Sequence, residues 1–336
     1  MTASVDFGSH RIRVARMQND RIVASSFRSV YSVLPDSQEQ RAMLARLSLP
    51  YAVCDSHLAV IGDFATELRC VSNMPPVPFF APGQTGIDDP PARQILNVLV
   101  ESMLPQNITN EYCAVTVPAC LKAGNGGPEF LHKLVSLRGY TPLPVSSGLA
   151  TVLAEGCDDR FSAIGISFGA NCCHVGLVAR GNQIDEEVVD RGGAWMDIEL
   201  ARHGDQYVYD RDGQCYLDTE AISNWKEAKY RSLGKRESVI EHTLANLYAD
   251  ILSRVVSAVD AIVSRNKLNA GPLPILCCGG VASINDFEAA LRNAFRSSSL
   301  NANQIGNIRV YDDQLTVARG GLIQVALQNE TQSAAA

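Results

Sequence analysis

The sequence predicts an α/β fold built from two related halves, because one pattern of short apolar stretches occurs twice. The stretches are separated by glycine and polar residues; they cover 2–7, 12–17 and 21–30 in the first half, and 163–166, 172–178 and 184–189 in the second. This spacing is typical of antiparallel strands joined by tight turns. Each half is therefore expected to open with a three-stranded meander.

The first turns of the two meanders are variants of one pattern. Asp-Phe-Gly-Ser at Asp6–Ser9 and Ser-Phe-Gly-Ala at Ser167–Ala170 lie about 160 residues apart. An internal repeat at this distance indicates a duplicated structural unit. Either turn alone would be weak support, since short strand-turn sequences are common.

Helices and further strands follow each meander. Apolar residues recur at helical spacing within 92–104, and a longer apolar stripe runs along 239–263. More helices are predicted at 130–137, 148–154, 219–233, 286–295 and 314–327, and more strands at 112–117, 273–277 and 308–311. This mixture predicts sheets covered by helices in both halves.

Composition limits the class of protein and its partners. The chain has 336 residues and a net charge of -7, which disfavours sequence-independent binding of nucleic acid because that needs a basic face. No apolar run reaches the roughly 20 residues that span a bilayer, and no signal peptide is recognisable. We therefore expect a cytoplasmic protein that binds no nucleic acid and does not insert directly into a membrane.

Ten cysteines contain no C-x-x-C pair. The adjacent pairs Cys172-Cys173 and Cys277-Cys278 lie in apolar runs and are expected to be small buried hydrophobic residues. Residues 74–91 hold six prolines and two glycines, which predicts an irregular surface segment. Its Phe79 and Phe80 either fold back onto their own domain, which we favour, or contact a partner.

Glycine at a strand-to-strand turn lets the backbone approach a ligand and point its N–H groups at it. Gly8 and Gly169 occupy such turns, and Gly279-Gly280 follows a predicted strand. Asp6, at the end of the first strand, is suited to hold Mg²⁺ through water. The adjacent Ser9 offers a hydroxyl and an N–H. Together these residues predict a site for a polyphosphate.

These segments resemble motifs of the actin and heat-shock-chaperone ATPase superfamily, in the family's order. The similar segments are Val5–Ser9 and Ile166–Asn171 (phosphate motifs), Leu276–Ala282 (adenosine motif), Ala114–Ala119, Val189–Asp197, Lys226-Glu227 and Val317–Gln324 (the second connecting helix). Each match is modest, but the ordered set is specific. The resemblance is nearest to the rod-shape and magnetosome bacterial actins.

The resemblance implies two ribonuclease-H-like domains around a nucleotide cleft, each with a small inserted subdomain. The expected limits are 1–146 with an insert at about 32–95, and 147–330 with an insert at about 200–270. Residues 331–336 are expected to be disordered.

The resemblance also implies ATP with Mg²⁺ as cofactors; GTP remains possible, although Lys226 and Glu227 favour adenine. Asp6 is the expected Mg²⁺ residue. The expected nucleotide-binding residues are Gly8, Ser9, His10, Arg11, Gly169, Ala170, Asn171, Gly192, Gly193, Lys226, Glu227, Gly279, Gly280 and Val281. His10 and Arg11 either neutralise phosphate charge or point to solvent.

Two departures concern the expected catalytic positions Ser147 and Ser167. The family usually has aspartate at the start of the second phosphate motif, where this chain has Ser167. It usually has Glu or Gln near the start of the first connecting helix, where the alignment places Ser147. Loss of a water-positioning group typically costs on the order of 10² to 10⁴ in rate, which predicts slow or absent hydrolysis. A shifted alignment would instead involve Glu155.

Three functions remain open. A bacterial actin that self-associates into filaments through open-ended contacts is favoured. A nucleotide-gated adaptor or pseudo-ATPase that does not polymerise is the alternative, supported by Ser147 and Ser167. A small sugar or carboxylate kinase would need a catalytic aspartate that is not identified. Any cargo or adaptor partner is unknown from the sequence.

Overall fold

The computed structural model describes residues 2–72, 75–81, 84–85, 89–107, 109, 111–122, 126–209, 213–228, 231–267, 271–300 and 304–335. The chain divides into two units. The first contains Met1–Pro144, Tyr209–Gln214 and Gln328–Ala336, and the second contains Val145–Val208 and Cys215–Leu327. The limits expected for the domains and their inserts stay a prediction.

The elements alternate between short strands and helices along the whole chain. Up to residue 144 they are β1 (Ala3–Phe7), β2 (Arg11–Gln18), β3 (Arg21–Arg28), β4 (Val30–Pro35), α1 (Gln38–Arg46), β5 (Ala52–Cys54), β6 (His57–Ile61), α2 (Asp63–Ser72), β7 (Val77–Pro78), β8 (Phe80–Ala81), β9 (Gln84–Thr85), α3 (Pro90–Met103), β10 (Tyr112–Thr116), α4 (Ala119–Lys122), α5 (Gly127–Leu137) and β11 (Thr141–Pro144). After it they are α6 (Ser147–Glu155), β12 (Ala163–Phe168), β13 (Cys173–Ala179), β14 (Asn182–Val189), α7 (Gly193–His203), β15 (Tyr207–Tyr209), β16 (Cys215–Leu217), α8 (Thr219–Lys226), α9 (Val239–Arg265), β17 (Leu273–Cys278), α10 (Phe287–Arg296), β18 (Ile305–Val310) and α11 (Thr316–Ala335).

The main sheets of the two units have the same topology. The first has the strand order β11-β10-β1-β2-β3, and the second has β18-β17-β12-β13-β14. In each sheet the opening strand pairs antiparallel with the next strand along the chain and parallel with a strand that arrives much later. The duplication predicted from the two meanders is therefore present in the strand pairing itself.

Apolar residues of these sheets are buried under helices. In the second unit Ile166 and Val175 share a core with Ile251, Val255 and Val259 of α9. In the first unit the central strand β1 shares a core with the apolar face of α3. Burial of such side chains contributes roughly 1.5–3 kcal/mol each, which fixes the strand ends that carry the candidate site.

A small second sheet stands within the first unit. Its strand order is β5-β6-β4-β7, and with α1 and α2 it encloses a separate core that includes Leu44, Leu58 and Leu68. Phe79 and Phe80 are buried, and the Phe79 ring lies 4.9 Å from the Tyr31 ring. The hypothesis that these two rings fold back onto their own domain is confirmed.

Glycines bring α6 and α11 unusually close to their neighbours in the second unit. A Cβ atom at Gly165 would lie 2.1 Å from the carbonyl oxygen of Gly148. A Cβ atom at Gly320 in α11 would lie 1.9 Å from the carbonyl oxygen of Ala150 in α6. Backbone packs directly on backbone here, so these positions have no room for a side chain.

Two predicted element ends need correction. The helix predicted over 219–233 ends at Lys226, because the following chain changes to strand-like pairing: Leu233 N–H donates to Asn285 O at 3.2 Å. The last helix, predicted to end at 327, extends to Ala335, whereas the disorder expected for 331–336 stays a prediction. Gln332 Nε2 donates to Tyr112 Oη at 2.6 Å, and alanine favours helix at this end.

Cys172, Cys173, Cys277 and Cys278 are all buried, as expected. Burial raises the pKa of the Cys173 and Cys277 thiols. Among the described residues, none of the helices combines the length and the apolar character needed to span a bilayer.

Candidate functional site

The turn after β1 is shaped by Gly8. A Cβ atom at this position would lie 2.5 Å from the carbonyl oxygen of Arg11, so only glycine allows the turn to close. Ser9 and His10 complete the turn and are partly buried. The carbonyl oxygen of His10 accepts a hydrogen bond from Ser29 N–H at 2.9 Å, which ties the turn to the segment between β3 and β4.

The turn after β12 repeats this geometry. A Cβ atom at Gly169 would lie 2.8 Å from the carbonyl oxygen of Cys172, and Gly169 N–H donates to the same oxygen at 3.1 Å. The glycine and the carbonyl are three residues apart in both turns. Ala170 and Asn171 lie at the tip and are partly buried. The similarity of the two motifs thus extends to their backbone contacts.

Asp6, the expected Mg²⁺ residue, is 7% exposed at the end of β1. Its Oδ2 lies 3.3 Å from Arg13 Nη1 on the neighbouring strand. Burial raises the pKa of the Asp6 carboxyl above its usual value, while the Arg13 charge and hydrogen bond oppose that rise. Arg13 was not among the predicted site residues, although its position opposite Asp6 follows from the hairpin register.

Arg11 is hydrogen-bonded and ion-paired within the first unit, and its expected role beside phosphate stays a prediction. Its guanidinium donates to both carboxylate oxygens of Asp63, at 3.1 and 3.2 Å to Oδ1 and 3.1 Å to Oδ2, and its Nε donates to Ser26 Oγ at 3.0 Å. Asp63 lies in the first turn of α2. Arg11 therefore joins β2 of the main sheet to α2, the helix that packs on the small second sheet.

Gly192 and Gly193 lie against the turn after β12. A Cβ atom at Gly192 would lie 2.5 Å from the carbonyl oxygens of both Gly169 and Ala170. Gly193 N–H donates to Gly169 O at 3.1 Å, and Ala194 N–H donates to Ala170 O at 2.8 Å. The N-terminus of α7 is thereby fixed to the second glycine turn.

Gly279 and Gly280 follow β17, and they differ in how much space surrounds their Cα atoms. Gly279 has a φ of 108°, and a Cβ atom there would lie 2.3 Å from Phe168 O, so the position requires glycine. Gly280 is exposed and begins a short 3-10 turn, Gly280–Ser283; a Cβ atom there would meet no atom within 4 Å. Val281 is buried, and its carbonyl oxygen accepts a hydrogen bond from Tyr248 Oη at 3.0 Å.

Lys226 is buried at the end of α8. Its Nζ lies 2.6 Å from Asp197 Oδ1 and donates to Gly193 O at 3.1 Å. The neighbouring Glu227 is exposed and accepts a hydrogen bond from Ser223 Oγ at 3.2 Å. Lys226 thus joins the Gly192-Gly193 segment, whereas Glu227 lies on the outer side of the helix end.

Ser147 and Ser167 are both 8% exposed. Ser147 is the first residue of α6, where Ser146 caps the helix by accepting from Leu149 N–H at 3.1 Å. Ser167 lies on β12 opposite His174 of β13 and Cys278 of β17.

Within the second unit the structure therefore brings together the residues predicted from separate motifs. Phe168 contacts Gly279, Gly169 and Ala170 contact Gly192 and Gly193, and a Cβ atom at Gly193 would lie 3.3 Å from Val281 and 3.5 Å from Lys226 Nζ. We call Gly169–Asn171, Gly192-Gly193, Lys226 and Gly279–Val281 the glycine cluster.

Comparison with known families places this cluster in context. A family model described as Volactin matches residues 1–325 of the sequence. The chain belongs to the Volactin family. A comparison with curated protein sequences finds no match.

Solved structures establish the fold of this Volactin-family chain. MamK in a double helical filament has a TM-score of 0.66 and 17% identity, covering 97% of this chain and 99% of that chain. MreB 5 of Spiroplasma citri bound to AMPPNP has a TM-score of 0.67 and 13% identity, with coverage of 99% and 98%. The ethanolamine utilization protein EutJ from Carboxydothermus hydrogenoformans has a TM-score of 0.52 and 13% identity, with coverage of 96% and 88%. The predicted actin-like α/β fold is confirmed.

Two residues that contact the glycine cluster, Asp197 and Tyr248, were not predicted as site residues from the sequence. Asp197 contacts Lys226 from a position 29 residues away, and Tyr248 contacts Val281 from 33 residues away. Asp197 follows Gly192-Gly193 at a distance of one helical turn, which places it inside α7 below the glycines. The sequence signal for Asp197 was a charged residue on the face of a helix that is expected to be buried.

Proposed function

We propose that this Volactin-family protein binds ATP, with GTP as the possible alternative, and polymerises in the cytoplasm into cytoskeletal filaments. The observation that carries the proposal is the glycine cluster, in which three backbone segments from separate parts of the chain meet beside the open position at Gly280. Backbone N–H groups exposed at glycine turns suit phosphate oxygens. The actin-like fold and the AMPPNP bound to the MreB 5 relative support a nucleotide as the ligand.

The side chains near the site suit a Mg²⁺ ion that binds together with the nucleotide phosphates better than an ion coordinated by protein ligands alone. Among the described residues, no group of three or more His, Cys, Asp or Glu side chains could hold a metal ion. Mg²⁺ commonly keeps several waters and binds through one or two carboxylates plus substrate phosphates. Asp6 supplies one such carboxylate, and Arg13 beside it limits the negative charge. Bound Mg²⁺ would neutralise phosphate charge.

Slow hydrolysis is part of the proposal. Ser167 offers no carboxylate at the second turn, and Ser147 is too short to orient a water as Glu or Gln does. Both serines are almost buried. A change in their own rotamers therefore cannot supply the missing carboxylate or the missing water-orienting group. We expect the rate of phosphate release to be on the order of 10²- to 10⁴-fold lower than in a relative that has both the carboxylate and the water-orienting side chain.

The same two serines favour a second candidate, a nucleotide-gated adaptor that stays monomeric. A protein that has lost its hydrolytic groups can still change conformation when nucleotide binds. The likeness to EutJ, as well as to MamK and MreB 5, means that the fold alone does not decide between the candidates.

The deciding experiment is light scattering and pelleting of the purified protein with and without ATP-Mg²⁺, with phosphate release followed in parallel. We expect ATP-dependent pelletable polymer and little phosphate. A Gly280→Val variant should fold normally, because a Cβ atom at this exposed position meets no protein atom within 4 Å, yet bind ATP at least about 10-fold more weakly.

Ala289→Val, which adds the same kind of bulk at an exposed position of α10, is the matched control and should behave as wild type. Equal ATP affinity in Gly280→Val and wild type would show that the nucleotide does not lie against the glycine cluster. A protein that binds ATP but remains monomeric would replace the filament by the adaptor.

A further inference from the structure

Asp197 is a buried carboxylate that the proposed function does not use. It lies on the inner face of α7, and its side chain is 10% exposed. Its partner Lys226 has a side chain that is 7% exposed. An ionised carboxylate is rarely buried unless it is paired, and this pair has an Nζ–Oδ1 distance of 2.6 Å.

The pair is connected to the backbone of the glycine cluster. A lysine ammonium has three N–H donors. In Lys226 one donor meets Asp197 Oδ1 and another meets the carbonyl oxygen of Gly193, at 3.1 Å. Gly193 in turn donates its own N–H to Gly169 O in the second glycine turn. Asp197, Lys226, Gly193 and Gly169 therefore form one continuous chain of polar contacts.

Lys226 alone would not keep this position. Four flexible methylene groups separate its ammonium from the backbone, and a lone buried cation is unfavourable. Asp197 fixes the ammonium and balances its charge. Glu227 cannot substitute, because it is exposed and bonded to Ser223 Oγ at 3.2 Å.

We propose that Asp197 is a positioning residue for the nucleoside end of the ligand. It holds Lys226 so that the remaining ammonium donor is fixed for the ribose or base, whereas the phosphates are held by the glycine turns. This inference rests on the proposed nucleotide binding. Asp197 acts through Lys226 and contributes no direct contact.

The test compares two ligands on the full-length protein. Asp197→Asn should weaken ATP binding by about 10- to 100-fold, since a charged hydrogen bond is lost, while inorganic tripolyphosphate, which has no nucleoside, should bind within about 2-fold of wild type. A general loss of structure would weaken both ligands alike. Glu199→Gln on the same helix, where Glu199 forms an ion pair with the exposed Arg202, is the matched control.

A double-mutant cycle separates positioning from direct contact and guards against misfolding. Lys226→Gln with Asp197→Asn keeps the site neutral, so this double variant is expected to fold. Once Lys226 is absent, adding Asp197→Asn should change the ATP affinity by less than about 2-fold. An unchanged ATP affinity in Asp197→Asn, an equal loss for both ligands, or additive effects in the cycle would each overturn the proposal.

Failure of the proposed function is distinguishable from failure of this inference. If the wild-type protein binds no nucleotide, the proposed function fails and the nucleoside role of Asp197 fails with it; backbone hydrogen exchange in 192–198 then decides only whether Asp197 positions Lys226 and the Gly192-Gly193 segment. Faster exchange there in Asp197→Asn, with unchanged exchange in 163–168, supports positioning. Unchanged exchange in both segments overturns it.

Discussion

Replacing Gly320 with alanine is expected to lower the free energy of unfolding by about 2–4 kcal/mol, although alanine is the better helix former. Helix propensity alone predicts a gain of roughly 1 kcal/mol, because Gly320 lies inside α11. The contact decides the sign: the new Cβ atom would lie 1.9 Å from Ala150 O in α6. Two backbones must separate to accept it, which disrupts packing on both helices. Chemical denaturation monitored by circular dichroism measures the change.

Ala326→Gly, at an exposed position of the same helix, is the matched control for Gly320→Ala. It isolates the propensity contribution and should cost about 1 kcal/mol. If Gly320→Ala is instead as stable as wild type or more stable, the close crossing of α6 and α11 is not a feature of the folded protein.

Lys226→Met is expected to cost about 3–5 kcal/mol of stability near neutral pH, since it leaves the Asp197 carboxylate buried without its charged partner. Methionine nearly preserves the length of the side chain, so the effect reports mainly the charge. Thermal or urea unfolding at several pH values measures it.

The pH dependence of Lys226→Met has a definite sign. Burial raises the pKa of Asp197 above the usual 3.8, and Lys226 opposes this rise, so losing Lys226 raises that pKa further. A raised folded-state pKa means that the folded protein binds the proton more tightly than the unfolded chain. The destabilisation should therefore be largest above the folded-state pKa and shrink as the pH falls towards 3.8.

The double variant Asp197→Leu with Lys226→Met checks the cause of the loss. Replacing both charges by apolar side chains removes the uncompensated carboxylate, and such replacements are often neutral or stabilising. Recovery of most of the lost stability is expected. A double variant as unstable as Lys226→Met would mean that lost packing, not the unpaired charge, explains the effect.

Much of the fold could be predicted because it depends on local patterns. The repeated meanders, the long stripe of α9 and the glycine turns are each encoded within short stretches, and their ends differ from the structure by only a few residues. The end of α8 could not be predicted in this way. The segment after Lys226 continues a helical pattern, but pairing with Asn285 replaces the helix.

The candidate site was predictable in part, for a related reason. A glycine reveals itself in the sequence because a turn requires it, so Gly8, Gly169 and Gly279 could be found. The partner of a charged side chain, by contrast, cannot be identified from the sequence pattern. Arg11 lies 52 residues from Asp63, and the choice between phosphate, solvent and carboxylate as its partner depends on where α2 packs. The same limitation applied to Asp197 and Lys226.

The first unit contains both the start and the end of the chain, and this has a consequence for biosynthesis. All strands of the first main sheet are complete once residue 144 has been made, so that sheet can form while the second unit is still being translated. Yet Gln328–Ala336 belongs to the first unit, and Gln332 donates to Tyr112 of β10. The first unit to emerge from the ribosome is thus the last to acquire its full set of contacts, and it waits for the second unit to be synthesised.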